Sequence, residues 1–160
     1  MTTVSEDQRT AYTSLFVLKL LDLAPEDGGM PMPVVLPAPL MAFEPVLERL
    51  AVEELVEIDR KRGEYRLTQR GLDTIGLHID EAEGYIEEFD DLEVDEMLGI
   101  LRQRNVDPMR VRFLWGWYQG EFDDPVVFQQ RRGVATLERD WASYIQSDAF
   151  FAAIAEDLTE

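Results

Sequence analysis

Between Leu40 and Leu72 the spacing of apolar residues changes period, and each change predicts a new element. Leu40, Phe43, Leu47 and Leu50 recur at steps of three and four, which places them on one face of a helix over about 40–54. Val56-Glu57-Ile58-Asp59 then alternates apolar and charged residues, as a half-buried strand does. Tyr65-Arg66-Leu67-Thr68 alternates again, and Arg60-Lys61-Arg62-Gly63 lies between the two runs. Gly63 is free to take a positive φ there, so the pair reads as an antiparallel hairpin. Thr68 is placed to cap a following helix. That helix carries Leu72, Ile75, Ile79, Ala82, Ile86 and Phe89 on one heptad-like stripe. Gly71, Gly76 and Gly84 each weaken it by roughly 1 kcal/mol against alanine, and Gly84 marks its expected break point.

Upstream, Ser5 followed three residues later by Gln8 fits a capping box. The helix after it, from Ala11 to Leu23, is apolar nearly all round and is therefore expected to be buried. Pro25-Glu26-Asp27-Gly28-Gly29 ends it. Four prolines between Pro31 and Pro39 then forbid a regular helix and favour extended or polyproline-like backbone. That run is either a loop packed over the core or a docking surface for a partner.

After Phe89-Asp90-Asp91-Leu92 the composition shifts, and a boundary near residue 91 divides the chain into domains at 1–91 and 92–160. A helix over 93–104 would bury Val94, Met97, Leu98 and Leu101. Asp107-Pro108 is an N-cap followed by proline at the first helical position. Met109–Phe122 reads two ways. It is a helix, favoured by that start signal, or a strand whose Val111, Phe113, Trp115 and Trp117 share a face ahead of an Asp123-Asp124 turn. Asp124-Pro125 repeats the start signal. Val127, Val134, Leu137, Trp141 and Tyr144 continue a helical stripe that Gly133 interrupts. Ser147-Asp148 opens a last short helix with Phe150 or Phe151, Ile154 and Leu158 inward. The predicted class is mainly α with a small β-hairpin: an N-terminal hairpin domain and a helical, aromatic-rich C-terminal one.

The order helix, strand, basic turn, strand, helix resembles the winged helix-turn-helix superfamily. Glu64-Tyr65-Arg66-Leu67-Thr68-Gln69-Arg70-Gly71 is similar to the second wing strand and following helix of bacterial regulators with this fold. The resemblance covers roughly residues 5–90. It implies a helix-turn-helix whose second helix is the one at 40–54, and a dimer formed through the helix at 69–90. The prolines at 31–39 stand where such a protein has its first motif helix. The polar residues of the recognition position are Glu44, Glu48, Arg49, Glu53 and Glu54, whereas base and phosphate contacts come mainly from Arg, Lys, Asn and Gln.

Charge changes the functional picture further. The chain has 160 residues with 33 acids against 15 bases, a net charge of −18, and no cysteine. Disulfides, cysteine-zinc sites and thiol catalysis are excluded. A field this negative repels phosphate and suppresses non-specific nucleic-acid binding. Ten acids lie between Asp80 and Glu96, with no base between Arg70 and Arg102. Their spacing is not that of a calcium loop and reads as a solvated face, a weak divalent-ion site, or a negative surface for a basic partner. The N-terminal residues lack the basic-then-apolar form of a signal peptide, and no apolar run is long enough to span a bilayer, so a cytoplasmic location and no membrane partner are expected.

The chemistry-bearing motifs are few. There is no phosphate-binding glycine loop and no nucleophile elbow. His78 is the single histidine and reads as an ordinary, partly exposed side chain. Asp123-Asp124 is the least implausible carboxylate pair for acid–base work, yet adjacency among 33 acids carries no weight. No catalytic residue, metal ligand or cofactor is assigned, and a non-enzyme is expected. Two candidate contact sites remain. Arg60, Lys61, Arg62, Arg66 and Arg70 form a basic wing, either a solvated turn offset by nearby acids or a contact for phosphate or for a partner's acidic patch. Trp115, Trp117, Tyr118, Arg131 and Arg132 belong either to a helical core or to a groove for a peptide or small apolar ligand. The leading expectation is an adaptor or regulatory subunit that binds another protein or itself. The alternatives are a dimeric DNA-binding transcription regulator using the wing, and a small-ligand sensor.

Overall fold

The computed structural model describes residues 5–22, 30–31 and 43–158, with backbone alone at 30, 31, 141 and 142. It is mainly helical with one small antiparallel sheet. Two compact units divide it. The first holds Ser5–Leu77 with Asp140–Ala142, the second chiefly His78–Arg139 with Ser143–Glu160.

In the first unit, α1 (Glu6–Leu21) starts on a complete capping box. The Ser5 hydroxyl accepts from the Gln8 amide at 3.1 Å, and the Gln8 side chain accepts from the Ser5 amide at 3.0 Å. Between them these two bonds satisfy donors that a helix start otherwise leaves orphaned. Leu15, Phe16, Val17, Leu18, Leu20 and Leu21 are all buried, as an all-round apolar helix must be. The expected stop at 25–29, the proline run at 32–39 and Leu40 lie outside the described residues. α2 (Glu44–Val52) carries proline at its first turn and buries Val46, Leu47 and Leu50 against α1 and the sheet.

β1 (Met30–Pro31), β2 (Val56–Asp59) and β3 (Glu64–Leu67) form the sheet in the order β1-β3-β2. Val56 pairs with Leu67 and Ile58 with Tyr65, so Val56 and Tyr65 bury while Glu57 stays outside. Gly63 takes the expected positive φ, 64°. The Asp59 carboxylate accepts from the amides of Lys61 and Arg62, each at 3.1 Å, and so orders the hairpin tip. Thr68 caps α3 (Gln69–Phe89): its hydroxyl accepts from the Gly71 amide at 3.0 Å and donates to the Glu54 carbonyl at 2.6 Å.

α3 is continuous through Gly76 and Gly84, with no break at either. Its buried stripe begins one residue earlier than the spacing suggests. Leu72 is exposed and Gly71 is buried. A Cβ at Gly71 would lie 2.2 Å from the Leu55 carbonyl oxygen, so the inward position at the helix start admits no side chain. Ile75, Ala82 and Phe89 then continue the stripe.

In the second unit, α4 (Val94–Gln103) and α5 (Pro108–Gln119) follow the predicted spans. Met109–Gln119 is therefore helix, and the strand-and-hairpin alternative is wrong. Asp107 decides it: its carboxylate accepts from the Met109 amide at 3.0 Å ahead of proline at the first helical position. Gly120 ends α5 with a φ of 75°. α6 (Pro125–Arg131) starts the same way, on the Asp124 carboxylate.

The long helical stripe expected from Val127 to Tyr144 does not form. α6 stops at Arg131, Gly133 takes a φ of 72°, and Val127 and Val134 are exposed. A side chain replaces the missing helix. The buried Gln129 amide donates to the carbonyls of Pro125 at 2.9 Å and Glu138 at 2.7 Å, and accepts from the Glu138 amide at 2.9 Å. α7 (Trp141–Ile145) and α8 (Asp148–Glu156) close the chain. Ser147 caps α8, and Phe150, Phe151 and Ile154 are buried, with Leu158 partly so.

Candidate interaction sites

The basic wing of the first unit is built by the hairpin register. Strand alternation and the tight turn carry Arg60, Lys61 and Arg62 outward on the tip, Arg66 onto β3, and Arg70 onto the first turn of α3. Four of these five cations meet an acid. Arg60 lies 3.8 Å from Glu48, Arg62 4.0 Å from Asp59, Arg66 3.1 Å from Glu64 and Arg70 3.4 Å from Glu54. Lys61 alone has no ion pair among the described residues. The pairs at Arg60 and Arg70 are well exposed and contribute little stability. Their effect is on the field: carboxylates from α2, its C-terminal turn and the sheet sit among the guanidinium groups. The exposed face of α2 adds Glu44, Glu53 and the Arg49–Glu53 pair at 3.8 Å.

In the second unit a cleft of about 750 Å³ opens between the end of α3, α4, α5, α6 with the turn before it, and the turn after α8. Its apolar wall is Phe89, Leu92, Val94, Met97, Val111 and Trp115. Phe89, Met97 and Val111 belong to one buried cluster with Leu101, on which Trp115 packs, partly exposed. Its polar wall includes Asp90, Glu121, Asp124 and Asp157, with Arg112 and Arg131.

Arg112 organises that wall. It follows Val111 on α5, and its guanidinium lies 5.7 Å from the centre of the Phe122 ring with only 15% of the side chain exposed. It forms a two-pronged pair with Glu121 at 2.7 and 2.8 Å. It also donates twice to Asp157, at 2.8 and 3.0 Å. Arg132 reaches the same Asp157 carboxylate and lies over the Phe128 ring at 4.6 Å. Four of the five Arg112 N–H donors are thus taken by the protein itself. Arg131, exposed at the rim, has no ion pair among the described residues.

The structure separates the five residues proposed for a groove. Trp115 and Arg131 line the cleft. Trp117 is 2% exposed and belongs to the core. Tyr118 is exposed, and its hydroxyl donates to Glu83 at 3.0 Å. Arg132 is taken up by Asp157 and by Glu156 at 3.8 Å. Of Asp123 and Asp124, the Asp124 carboxylate caps α6 by accepting from Val126 and Val127. The cleft's other wall was not visible in the sequence because three separated segments supply it. Arg112 left one trace there: a cation amid Val111, Phe113 and Leu114.

The acidic helix end is partly engaged. Arg110 pairs with Glu81 through two bonds of 2.8 Å, and Tyr85 donates to the same carboxylate at 2.8 Å. Arg110 holds the Glu81 carboxyl below its ordinary value, while burial and Glu81 push the Tyr85 hydroxyl up to about 12. Arg104 pairs with Glu88. His78 is half-buried, and its Nδ1 has no hydrogen-bond partner among the described residues. Burial, then Arg110, lowers its pKa. Among the described residues, no three histidine or carboxylate side chains gather as metal ligands, and no helix is long and apolar enough to cross a membrane. Neither a family model, nor a curated protein, nor a solved structure matches this chain.

Proposed function

We propose that this chain is a non-enzymatic, cytoplasmic interaction module of winged-helix type, acting as an adaptor or regulatory subunit on another protein. The observation that carries the reading is the pairing of Arg60, Arg62, Arg66 and Arg70 with acids at 3.1–4.0 Å. A wing that grips phosphate needs its cations free to replace counterions. Here an approaching phosphate would meet Glu48, Glu54, Asp59 and Glu64 beside those cations, within a chain of net charge −18. The glutamates on the exposed face of α2 work in the same direction, because a helix that reads bases needs donors there.

The test is a mobility shift with random-sequence duplex DNA at about 50 mM salt, where attraction is strongest. The expected result is no shift for the wild-type chain. A shift that fades steeply with salt and is lost on replacing Arg60, Lys61 and Arg62 by alanine would establish the DNA-binding alternative instead. The positive arm is recovery of a stoichiometric protein partner. Isolation of a bare, monodisperse monomer from its native host would count against the adaptor reading.

A further inference from the structure

We infer that the cleft between α4 and α5 receives a basic, amphipathic segment of a partner protein: apolar side chains against Trp115, Leu92 and Val94, lysine or arginine toward Asp90 and Asp124. This rests on the protein-binding reading above and names where the contact lies and what chemistry meets it.

The cleft has the size of a recognition site, about 750 Å³, and is held within one compact unit. Its floor is already packed: Phe89 and Val111 are 2% and 0% exposed, so the wall is preformed and entry costs little reordering. Trp115 packs on that floor while remaining partly exposed, the arrangement of an interface anchor with one side still wet.

Charge selects the occupant. Of the six ionisable residues on the rim and polar wall, four are acids. Arg112 has little to offer an incoming anion, because Glu121 and Asp157 take four of its five N–H donors. Arg131 is the one cation left to solvent, and Asp90 and Asp124 oppose it with two negative charges. The preceding stretch, Asp80–Glu96, supplies ten acids without a base, so the long-range field draws cations toward this end of the cleft. A free carboxylate or phosphate ligand would meet a net negative rim, whereas a basic helix meets a complementary one.

The test uses the full chain and a fluorescein-labelled amphipathic peptide with leucine at every third and fourth position and lysine elsewhere. Controls are the same peptide with glutamate for lysine, and decanoate as a small anionic competitor. Fluorescence anisotropy should show binding of the lysine peptide that weakens with salt, and no binding of the glutamate peptide. Asp90→Lys, a change at an exposed side chain that leaves the fold intact, should weaken binding by about tenfold, and Trp115→Ala by at least as much. Far-ultraviolet circular dichroism of each variant checks that it is folded. If the lysine peptide fails to bind, or binds Asp90→Lys and wild type alike, the assignment of this cleft is overturned while the adaptor reading stands. Stronger binding of decanoate or of the glutamate peptide also overturns it, in favour of an anionic ligand at Arg131. A DNA shift through the wing would instead sink the broader reading and leave the peptide result to be judged separately.

Discussion

Arg112 on α5 and Asp157 just past α8 stand 45 positions apart in sequence, yet the guanidinium donates twice to that carboxylate, at 2.8 and 3.0 Å. Glu121 and Arg132 complete the network, so one cluster of four charges ties α5, the turn after it, the end of α6 and the C-terminal turn together.

Removing one member leaves an uncompensated charge in a poorly hydrated place. Arg112→Leu is expected to lower the free energy of unfolding by about 2 kcal/mol, below the 3–5 of a fully buried pair because both carboxylates remain about a third exposed. Arg112→Lys should recover part of this but lose the two-pronged geometry. Urea titration of the two variants measures both. Equal stability for Arg112→Leu and wild type would show that the network contributes nothing.

The glycines separate by what surrounds them. A Cβ at Gly116 would sit 2.3 Å from the Phe122 ring, and one at Gly71 2.2 Å from the Leu55 carbonyl oxygen. Gly71→Ala meets backbone that cannot swing away and should destabilise by about 2 kcal/mol or more, in the range of overpacked sites. Gly84→Ala, with open space around it in mid-helix, should stabilise by about 0.5–1 kcal/mol. Thermal melts of the two variants should therefore move in opposite directions.

His78 gives a pH dependence whose sign follows from its surroundings. Burial and Arg110 lower its pKa in the folded state, so the unfolded chain binds the proton more readily. Stability is therefore lost as pH falls below the ordinary histidine value of 6.5 toward the folded one. Glu81 acts in the same direction at lower pH: its carboxyl is depressed by Arg110, and that contribution is lost as pH falls from about 4.5 through the folded value. Replacing His78 by glutamine should flatten the stability profile between neutrality and pH of about 5 while leaving the acid limb below it. An unchanged profile in that variant would remove His78 from the account.

Gln129 is expected to tolerate no isosteric change. Its amide nitrogen faces two carbonyl oxygens, at 2.9 and 2.7 Å, and a carboxylate there would present lone pairs to lone pairs. Gln129→Glu should cost about 2 kcal/mol at neutral pH, the penalty of an unsatisfied buried polar group, and recover as the carboxyl is protonated in acid. Stability measured across that pH range tests the amide's role directly.

What could be read from the chain was what depends on near neighbours. The period change from Leu47 to Tyr65 located α2 and the hairpin, and Ser5, Thr68, Asp107, Asp124 and Ser147 each cap the helix they were expected to cap. The misplaced stripe at Leu72 turned on Gly71 meeting the Leu55 carbonyl, a contact between distant elements that no helical spacing contains. The helix expected past Gly133 failed for a similar reason, since its apolar residues keep step while a buried glutamine holds the chain elsewhere. Arg60 and Arg70 were legible as a basic cluster, but their partners Glu48 and Glu54 come from the α2 side of the fold, so neutralisation of the cluster is a tertiary fact.

The Gln129 clamp also says where this molecule can change. One side chain stands in for a peptide group and fastens the segment at Glu138, while the main-chain amides from Ala135 to Thr136 form no bond with the backbone among the described residues. Shape there is dictated from the anchorage and hardly at all by the span between. Residues 134–136, exposed throughout, should accept substitution, a short insertion or a grafted epitope while the aromatic core beneath stays as it is.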